Sequence, residues 1–263
     1  MLIVKDVHKT FFPGSVNEKK ALQGVDLTLK DGDFVTVIGS NGAGKSTLLN
    51  AVAGVFPIDT GRIEISGTDV TKMPEYQRAR FIGRVFQDPM KGTAAGMMIE
   101  ENLAMAARRG KRPGLRWSSQ GEQTERFKAM LRELDLGLED RMTAHVGLLS
   151  GGQRQAVTLL MATLVRPELL LLDEHTAALD PKTAEKVLQL TDRIVRQHNL
   201  TTLMINMRDA LRFGNRLIMM HAGRVVEDIP GDVKKTLAVP DLLDLFEKRA
   251  GKDVAVGDAM LLG

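Results

Sequence analysis

Three glycines, a lysine and three hydroxyl residues stand close together in residues 39–47, which read Gly-Ser-Asn-Gly-Ala-Gly-Lys-Ser-Thr. This order matches the pattern G-x-x-x-x-G-K-[ST]. Glycines let the backbone curl until successive N–H groups point into one concavity, and such a concavity attracts phosphate groups. We call residues 39–47 the phosphate loop. Its candidate phosphate-binding residues are Gly39, Ser40, Asn41, Gly42, Ala43, Gly44, Lys45, Ser46 and Thr47.

Lys45 and Ser46 carry the chemistry that we expect of this loop. The Lys45 ammonium can reach the β- and γ-phosphates of a nucleotide, and the Ser46 hydroxyl can bind Mg²⁺. The loop follows an apolar run at residues 34–38 and precedes a helical pattern at residues 48–52. This strand-turn-helix setting favours a nucleotide site over the alternative, a glycine-rich turn with an incidental lysine.

A second chemical feature is the pair Asp173 and Glu174, which follows the apolar run at residues 169–172. A buried strand delivers such carboxylates to its C-terminal edge, where ligands bind in open α/β sheets. We expect Asp173 to hold Mg²⁺, directly or through water, and Glu174 to polarise the water that attacks the phosphate. Alone, the pair would be a solvated strand end. Together with the phosphate loop, it indicates nucleotide hydrolysis.

The elements that must position these residues alternate between strands and helices. Apolar runs at residues 34–38, 169–172 and 201–205 predict strands buried on both faces, which is typical of a parallel sheet. Apolar residues in 182–197 recur with helical spacing, and Asp180 is a suitable N-cap for that helix. The pattern therefore predicts an α/β fold with a parallel central sheet.

Residues 89–150 differ from their surroundings because they show no strand pattern. We expect two helices there, at residues 99–109 and 121–135, separated by a basic, glycine-containing break at 110–114. We interpret this stretch as a helical insertion. Another short helix is predicted at residues 240–249, before a C-terminal end that we expect to be loosely held.

Composition excludes several classes of protein. The chain has 263 residues, no cysteine and a net charge of +3 from 36 basic and 33 acidic residues. Disulfides, thiolate metal sites and cysteine nucleophiles are therefore excluded, and the charge is too low for a dedicated nucleic-acid-binding protein. No apolar run approaches the ~20 residues of a membrane span, and no secretory signal is visible. We expect a cytoplasmic protein.

A third motif distinguishes between kinds of nucleotide hydrolase. Residues 149–155 read Leu-Ser-Gly-Gly-Gln-Arg-Gln, which matches the signature of the ATP-binding-cassette (ABC) ATPases. The chain resembles that family over nearly its whole length. Independently of the name, Ser150 can cap a helix, and the two glycines leave backbone amides bare enough to meet a phosphate. We therefore expect a second anion site here; the alternative is an ordinary capped helix.

The resemblance implies a fold and a division of the chain. The implied fold is a P-loop NTPase (RecA-like) α/β core with a parallel central sheet, an antiparallel β subdomain and a helical signature subdomain. Residues 1–263 would form a single ABC ATPase domain. In it, 1–88 and 162–230 would make the nucleotide-binding core, 89–161 the helical subdomain and 231–263 a C-terminal tail.

The resemblance also implies ATP and Mg²⁺ as cofactors and gives roles to single residues. Phe11 resembles the aromatic residue on which adenine stacks, with Phe12 as a close alternative. The implied catalytic residues are Glu174, Lys45 and Gln87. The implied Mg²⁺ ligands are Ser46, Gln87 and Asp173.

Relatives sandwich two ATP molecules between head-to-tail subunits, so the implied active form contains a second copy of this chain. The γ-phosphate held by one phosphate loop would meet the signature of the other copy. Asp180 would either tie the two sites together or only cap its helix, and both interpretations stay open. The implied signature contacts are Ser150, Gly151, Gly152 and Gln153.

The resemblance implies that hydrolysis drives transport. We expect integral membrane permease subunits as partners, a substrate-binding lipoprotein as an indirect partner, no nucleic acid, and a peripheral location on the cytoplasmic face of the inner membrane. Residues 87–93, 173–176 and 214–217 resemble a bacterial group of import ATPases with proposed amino-acid cargo. The alternatives are a soluble, non-transport ABC ATPase and a hydrolysis-poor nucleotide-binding module.

Two segments suggest contacts with such partners: the methionines that follow Gln87 and a basic run further along the chain. Met90, Met97 and Met98 could form an adaptable apolar surface for a permease helix, or else pack in the core. The basic run at residues 108–117 could face anionic lipid headgroups. A solvated loop is the simpler interpretation of that run.

Two positions depart from the family pattern. His175 stands where relatives usually have proline, and we interpret it as a packing residue and assign it no part in catalysis. Relatives place a switch histidine, in Thr-His-Asp or Thr-His-Asn, directly after the strand that matches residues 201–205, but here Asn206 follows Ile205. Asn206 could take the place of that histidine, but we favour an interruption of the chain between Ile205 and Asn206, from which Thr-His is missing. A normal distance of about 3.8 Å between the Cα atoms of these two residues would refute the interruption. If the deletion is real, we expect greatly weakened hydrolysis.

Overall fold

The structure, a computed structural model, describes residues 1–111 and 120–250. Most of the basic run at 108–117 and most of the C-terminal end lie outside these described residues. The chain divides into two compact units. The first contains Met1–Arg78 and Asn199–Gly263, and the second contains Ala79–His198.

Strands and helices are numbered along the whole chain. The strands of the first unit are β1 (Leu2–Phe11), β2 (Lys19–Leu29), β3 (Phe34–Ile38), β4 (Thr60–Ile65), β5 (Thr68–Asp69), β8 (Thr202–Ile205), β9 (Arg216–His221) and β10 (Arg224–Pro230). Its helices are α1 (Lys45–Ala53), α2 (Glu75–Arg78), α7 (Gly231–Lys234) and α8 (Val239–Ala250).

The first unit combines an antiparallel and a parallel arrangement of strands. Strands β2, β1, β4 and β5 form an antiparallel sheet in that order. Strand β3 is parallel to both β8 and β9, and β10 adds to β9 in antiparallel orientation. Every residue of β3 and β8 is buried. These two strands therefore confirm the prediction, made from their continuous apolar runs, of strands covered on both faces.

The C-terminal helix α8 covers one face of this unit. Its Leu242 and Phe246 belong to a buried cluster with Ile38, the last residue of β3. Met207, which follows the end of β8, packs against the same cluster. The predicted helix at 240–249 is therefore confirmed, and it packs beneath the strand that leads into the phosphate loop.

A buried guanidinium closes the C-terminal end of α1. Arg78 is 2% exposed and donates hydrogen bonds to the carbonyls of Ala51 and Val52, both at 2.8 Å, in the last turn of α1. A Cβ on Gly54 would lie 2.7 Å from Arg78 Nε, so the helix ends in a glycine that leaves room for this side chain. Sequence analysis missed this contact because its partners are distant in the chain.

The second unit contains two parallel strands and four α-helices within its described residues. None of the α-helices in the described part of the whole chain has the length and hydropathy needed to cross a membrane. The elements of this unit are β6 (Ile82–Val85), α3 (Ile99–Ala106), α4 (Gln120–Arg132), α5 (Gly151–Thr163), β7 (Leu169–Asp173) and α6 (Pro181–Gln197), with 3₁₀ turns at Pro89–Gly92 and Val146–Leu148.

Helices α3 and α4 are about one turn shorter at their C-terminal ends than predicted. After α3, the amides of Arg108 and Arg109 bond to carbonyls three residues back, at 3.1 Å each, which tightens the last turn out of the α-helical pattern. After α4, Asp135 closes a similar turn and takes a left-handed conformation at φ 55°. The predicted helices at 99–109 and 121–135 therefore include these closing turns.

Candidate functional site

The phosphate loop joins β3 to α1 in the first unit. Gly39, Gly42 and Gly44 have φ values of 151°, 82° and 100°, which residues with a side chain rarely adopt. A Cβ on Gly39 would lie 2.2 Å from the carbonyl oxygen of Met220, and one on Gly44 would lie 2.7 Å from that of Ala21. These two glycines are required because backbone lies directly against them.

Gly42 differs from the other two glycines because it is exposed and faces open space. No heavy atom lies within 4 Å of a Cβ built on it. Gly44 occupies the N-cap position of α1, and a glycine has no side chain that could cap the helix. The first turn of α1 also contains no acidic residue. The N-terminal amides and the positive end of the helix dipole therefore suit an external anion such as phosphate.

Lys45 is buried, and its ammonium group is held by the loop itself. Its Nζ donates to the carbonyl oxygens of Gly39 at 2.6 Å and Ser40 at 3.1 Å. The next residue, Ser46, is exposed. The loop thus carries a buried positive charge that is bonded to two of its own carbonyls, and an exposed hydroxyl group.

The candidate adenine platform lies at the end of β1. The ring of Phe11 packs edge-on against Phe56, with ring centres 5.2 Å apart, and the Lys9 ammonium lies 5.6 Å from the Phe11 ring centre. Phe12 is 68% exposed. Phe12, the alternative weighed from the sequence, therefore has the more accessible ring.

The carboxylates Asp173 and Glu174 lie at the C-terminal end of β7 in the second unit. Asp173 is partly buried, and its Oδ2 lies 3.9 Å from Nη2 of Arg84 on the neighbouring strand β6. Glu174 takes a left-handed backbone conformation at φ 41°. Such a conformation is costly for a residue with a long side chain and turns the chain sharply at this point.

His175 is buried at 2% exposure and is held by a hydrogen-bond chain. Its Nε2 lies 3.0 Å from Thr191 Oγ1, and the Thr191 hydroxyl donates its hydrogen to the Val187 carbonyl at 2.8 Å. His175 Nε2 must therefore be the donor to Thr191. Burial lowers the pKa of His175 to about 4, so the ring is neutral at neutral pH. The packing interpretation of His175 is confirmed.

The signature segment starts α5 as predicted. Ser150 Oγ accepts a hydrogen bond from the Gln153 amide at 3.3 Å, and Gln153 Oε1 accepts one from the Ser150 amide at 3.2 Å. A Cβ on Gly152 would lie 2.1 Å from Thr183 Cγ2, near the start of α6. Gly152 is therefore required for packing between α5 and α6, a reason that sequence analysis missed.

Asp180 caps α6, a role that both of its interpretations include. Its side chain accepts a hydrogen bond from the Thr183 amide at 3.1 Å, and hydrogen bonds from Thr183 lower its pKa. Leu179, the residue before it, would lie 3.1 Å from a Cβ on Gly151. The second unit thus brings the signature and the Asp180 segment together.

Gln87 is exposed and follows the end of β6. The residue before it, Phe86, is tied to α5 because Gln155 Nε2 donates to the Phe86 carbonyl at 3.1 Å. Gln155 is fully buried. Gln155 belongs to the signature at 149–155, but the sequence analysis assigns it no role. Its position as a polar residue among the apolar residues of α5 is the feature that could have indicated a buried hydrogen bond.

The family model described as ABC transporter matches residues 22–177. This range covers more than half of the chain and includes the phosphate loop, Gln87, the signature, Asp173 and Glu174. The chain belongs to the ABC transporter family. It is therefore an ATPase, and ATP is its nucleotide.

Curated members of the ABC transporter family are similar over most of this chain. The tyrosine transport ATP-binding protein of Clostridioides difficile is 43% identical over 250 residues, which cover 94% of this chain and 99% of that protein. The methionine import ATP-binding protein MetN of Rhizobium johnstonii is 38% identical over 226 residues. That alignment covers 84% of this chain but only 59% of the longer MetN protein.

Solved ABC cassettes share the fold. The ATP-binding cassette MJ0796, in a dimeric post-hydrolysis state with ADP and Pi, has a TM-score of 0.75 and 29% identity, covering 88% of this chain and 99% of that chain. The ADP conformation of MJ1267 has a TM-score of 0.75 and 25% identity, covering 94% and 98%. The predicted P-loop NTPase fold class is confirmed.

The junction after β8 corrects one expectation about this ABC chain. The sequence and the structure pass from Ile205 to Asn206 without a break, so the interpretation as an interruption is wrong. Asn206 is buried, and its Oδ1 accepts a hydrogen bond from the Asp209 amide at 3.0 Å. The short junction is thus a property of the chain, closed by a local turn.

We predict that Thr191→Val lowers the free energy of unfolding by about 2 kcal/mol, because it leaves the buried Nε2 of His175 without an acceptor. Thr158→Val is the matched control. Thr158 is equally buried and donates to the Arg154 carbonyl at 2.9 Å, four residues back, as Thr191 does to Val187. We expect this control to change stability by less than about 0.5 kcal/mol. Urea unfolding measures both, and equal effects would contradict the prediction.

Proposed function

We propose that the chain is the ATP-hydrolysing subunit of a transporter that imports an amino acid. The observation that carries the nucleotide site is the phosphate loop, which is open to a ligand at Gly42 and leads directly into an uncapped helix. The similarity to proteins named for tyrosine transport and methionine import supports the transport role and the cargo class. The proposal includes a nucleotide-binding core of residues 1–88 and 162–230, a helical subdomain of 89–161 and a tail of 231–263.

The phosphate loop would hold the triphosphate through the backbone amides at the start of α1 and through Lys45. The Lys45 ammonium now bonds to two uncharged carbonyls. Phosphate oxygens bind an ammonium group more strongly because they carry charge. Lys45 would therefore exchange the carbonyls of Gly39 and Ser40 for the β- and γ-phosphates. Phe12 or Phe11 would stack on the adenine.

The chemistry of the available donors fits Mg²⁺. Within residues 1–111 and 120–250, no group of three or more His, Cys, Asp or Glu residues could hold a metal ion by itself. A few oxygen ligands completed by phosphate and water are what Mg²⁺ prefers. Ser46, Gln87 and Asp173 would supply those ligands. When bound, Mg²⁺ neutralises charge that develops on the transferred phosphoryl group.

Glu174 would act as the base that orients and activates the attacking water, because family resemblance assigns this role to the glutamate after the strand-end aspartate. Its left-handed backbone directs the chain into the segment that ends at the Asp180 cap. The hydrogen bond from His175 to Thr191 of α6 anchors the residue that follows Glu174. The contacts of His175 thus help to fix the backbone next to Glu174.

The proposed working form is a head-to-tail dimer with two ATP molecules. The signature residues of each copy would complete the γ-phosphate site of the other. Ser150 Oγ accepts from the Gln153 amide and keeps its own hydrogen to donate to a phosphate. Asp180, exposed beside the signature, would contact the second site in this dimer. The similar dimeric cassette with ADP and Pi supports this arrangement.

The proposed partners are integral membrane permease subunits and, through them, a substrate-binding lipoprotein. They would place the chain at the cytoplasmic face of the inner membrane, with no nucleic-acid partner. Exposed apolar residues of the second unit, Met90 at 44% and Leu148 at 75%, are candidates for the permease contact. Met97 and Met98 are partly buried.

A second candidate function, a nucleotide-binding module that hydrolyses ATP slowly, is favoured by the junction after β8. The side-chain oxygen of Asn206 is engaged by the Asp209 amide. Met207, one residue further on, packs into the cluster that contains Ile38 and Phe246. Neither residue presents an imidazole where relatives have their switch histidine, so nothing in this junction would hold the γ-phosphate and the water in register.

We predict that Glu174→Gln lowers the rate of ATP cleavage by roughly 10²–10⁴-fold while the Kd for MgATP changes less than about twofold, because only the general base is removed. Glu122→Gln, on the exposed face of α4, is the control and should leave both quantities unchanged. Single-turnover cleavage and fluorescence titration measure them. Unchanged cleavage in Glu174→Gln would show that another residue is the base.

We predict that inserting Thr-His between Ile205 and Asn206 raises the turnover of ATP by about 10²-fold, since it restores one phosphate-directed hydrogen-bond donor. Insertion of Thr-Ala is the matched control, because it restores the length of the junction without the imidazole. Steady-state phosphate release measures all three proteins. Turnover of the natural chain equal to that of the Thr-His variant would refute the slow-hydrolysis candidate.

A further inference from the structure

Strands β9 and β10 are joined by the two residues Ala222 and Gly223, which we call the hairpin turn. Both are left-handed, at φ 45° and 76°, as a tight two-residue hairpin connection requires. Strand β9 runs parallel to β3, with Met219 opposite Ile38. The hairpin turn and the phosphate loop therefore leave the sheet at the same edge, side by side.

The hairpin turn and the end of β9 touch the phosphate loop through backbone atoms. The Gly223 amide donates to the Ala43 carbonyl at 2.9 Å. A Cβ on Gly44 would lie 3.3 Å from Gly223 Cα, and a Cβ on Gly39 would lie 2.2 Å from the Met220 carbonyl oxygen. Backbone atoms cannot rotate away as the end of a side chain can. The phosphate loop therefore packs against the backbone of Met220 and Gly223, which restricts its movement on that side.

Strand β2 holds the hairpin turn from its other side. The Gln23 amide donates to the Gly223 carbonyl at 2.9 Å, and Gln23 Nε2 donates to the Ala222 carbonyl at 2.7 Å. The Ala21 carbonyl oxygen would lie 2.8 Å from a Cβ on Gly223. The same oxygen would lie 2.7 Å from a Cβ on Gly44. Three backbone segments thus meet at one point.

This meeting point links the two ends of the nucleotide site in the first unit. In the sheet, Gln23 of β2 lies opposite His8 of β1, and β1 ends at Phe11. The strands that carry the aromatic platform are therefore fixed to the hairpin turn, and the hairpin turn is fixed to the phosphate loop. A loop rich in glycine needs such external contacts, since its own backbone allows many conformations.

We infer that Gly223 and Gln23 are positioning residues for nucleotide binding: through the hairpin turn they hold the amides of the phosphate loop at the place where phosphate binds. Neither residue is among those proposed to contact the nucleotide. The inference rests on the proposed function, because it requires residues 39–47 to be the phosphate-binding segment. It goes beyond that function by assigning part of the affinity to a turn that lies outside the motif.

The test uses two turns of the same geometry. Ser66 and Gly67 join β4 to β5 with φ values of 47° and 75°, which match the values at Ala222 and Gly223. A Cβ on Gly67 has no heavy atom within 4 Å. Gly223→Ala and Gly67→Ala therefore carry the same backbone strain, but only Gly223→Ala pushes against β2. That push displaces the hairpin turn, whose Gly223 amide is bonded to the Ala43 carbonyl of the phosphate loop.

We expect Gly223→Ala to raise the Kd for MgATP about tenfold or more, equivalent to the loss of roughly one hydrogen bond to a charged group. Gly67→Ala should stay within about twofold of the unchanged chain, because its strain does not reach the loop. Titrations are made at a temperature at which circular dichroism shows both variants folded. A destabilisation that is only structural would lower the melting temperature of both variants and leave Kd unchanged.

A gentler variant guards against failure of Gly223→Ala to fold. Gln23→Met keeps the length of the side chain and removes only the bond to the Ala222 carbonyl, and we expect it to raise Kd by about threefold. Lys45→Ala distinguishes failure of the proposed phosphate site from failure of the positioning role of Gly223 and Gln23. If Lys45→Ala weakens binding while Gly223→Ala and Gln23→Met bind as the unchanged chain does, the inference is overturned. If Lys45→Ala leaves Kd unchanged, the proposed phosphate site is itself wrong.

Discussion

Backbone amides can bind a phosphate only where they converge and no side chain stands between them and the ligand. In this chain that arrangement has to be made by glycines, and glycines alone would leave it mobile. The structure resolves the conflict by placing the backbone of other strands against the loop, at Gly39 and at Gly44, and leaving Gly42 open. The phosphate loop is thus supported by backbone at Gly39 and Gly44, and it has no side chain at Gly42, where a ligand can approach.

The burial of Lys45 follows from the same constraint. A lysine placed inside a ring of amides needs acceptors when no anion is bound, and the carbonyls of Gly39 and Ser40 supply them. Buried cations are costly unless hydrogen-bonded. The loop therefore keeps its charge in place at modest cost and exchanges weak acceptors for strong ones when an anion arrives. At the other end of α1, Arg78 gives the helix a matching positive charge beside its negative end.

In the second unit, hydrogen bonds between residues close in the chain fix the backbone near the candidate site. The Ser150 and Asp180 caps fix the starts of α5 and α6 within one turn. These features could be predicted from sequence because a cap involves residues only three apart. Strands β3 and β7 were predictable for a related reason: burial on both faces leaves an uninterrupted apolar run.

The features that sequence did not indicate depend on partners far apart in the chain. Gly152 is a glycine because Thr183 lies against it, and Gly223 is one because Ala21 does. Neither neighbour can be read from a local pattern. The error at the Ile205 junction has a different origin, because it comes from the pattern of the family and not from a distant partner. Family pattern suggested two missing residues, whereas the chain closes the turn with the Asn206 side chain.

The central claim is that residues 39–47 bind the phosphates of ATP through their backbone. A crystal structure of the chain with Mg²⁺ and a non-hydrolysable ATP analogue tests it most directly. We expect phosphate oxygens at about 3 Å from the amide nitrogens of residues 42–46, with Lys45 Nζ moved from the carbonyls of Gly39 and Ser40 to the phosphates. A nucleotide bound elsewhere, with Lys45 still on those two carbonyls, would contradict it.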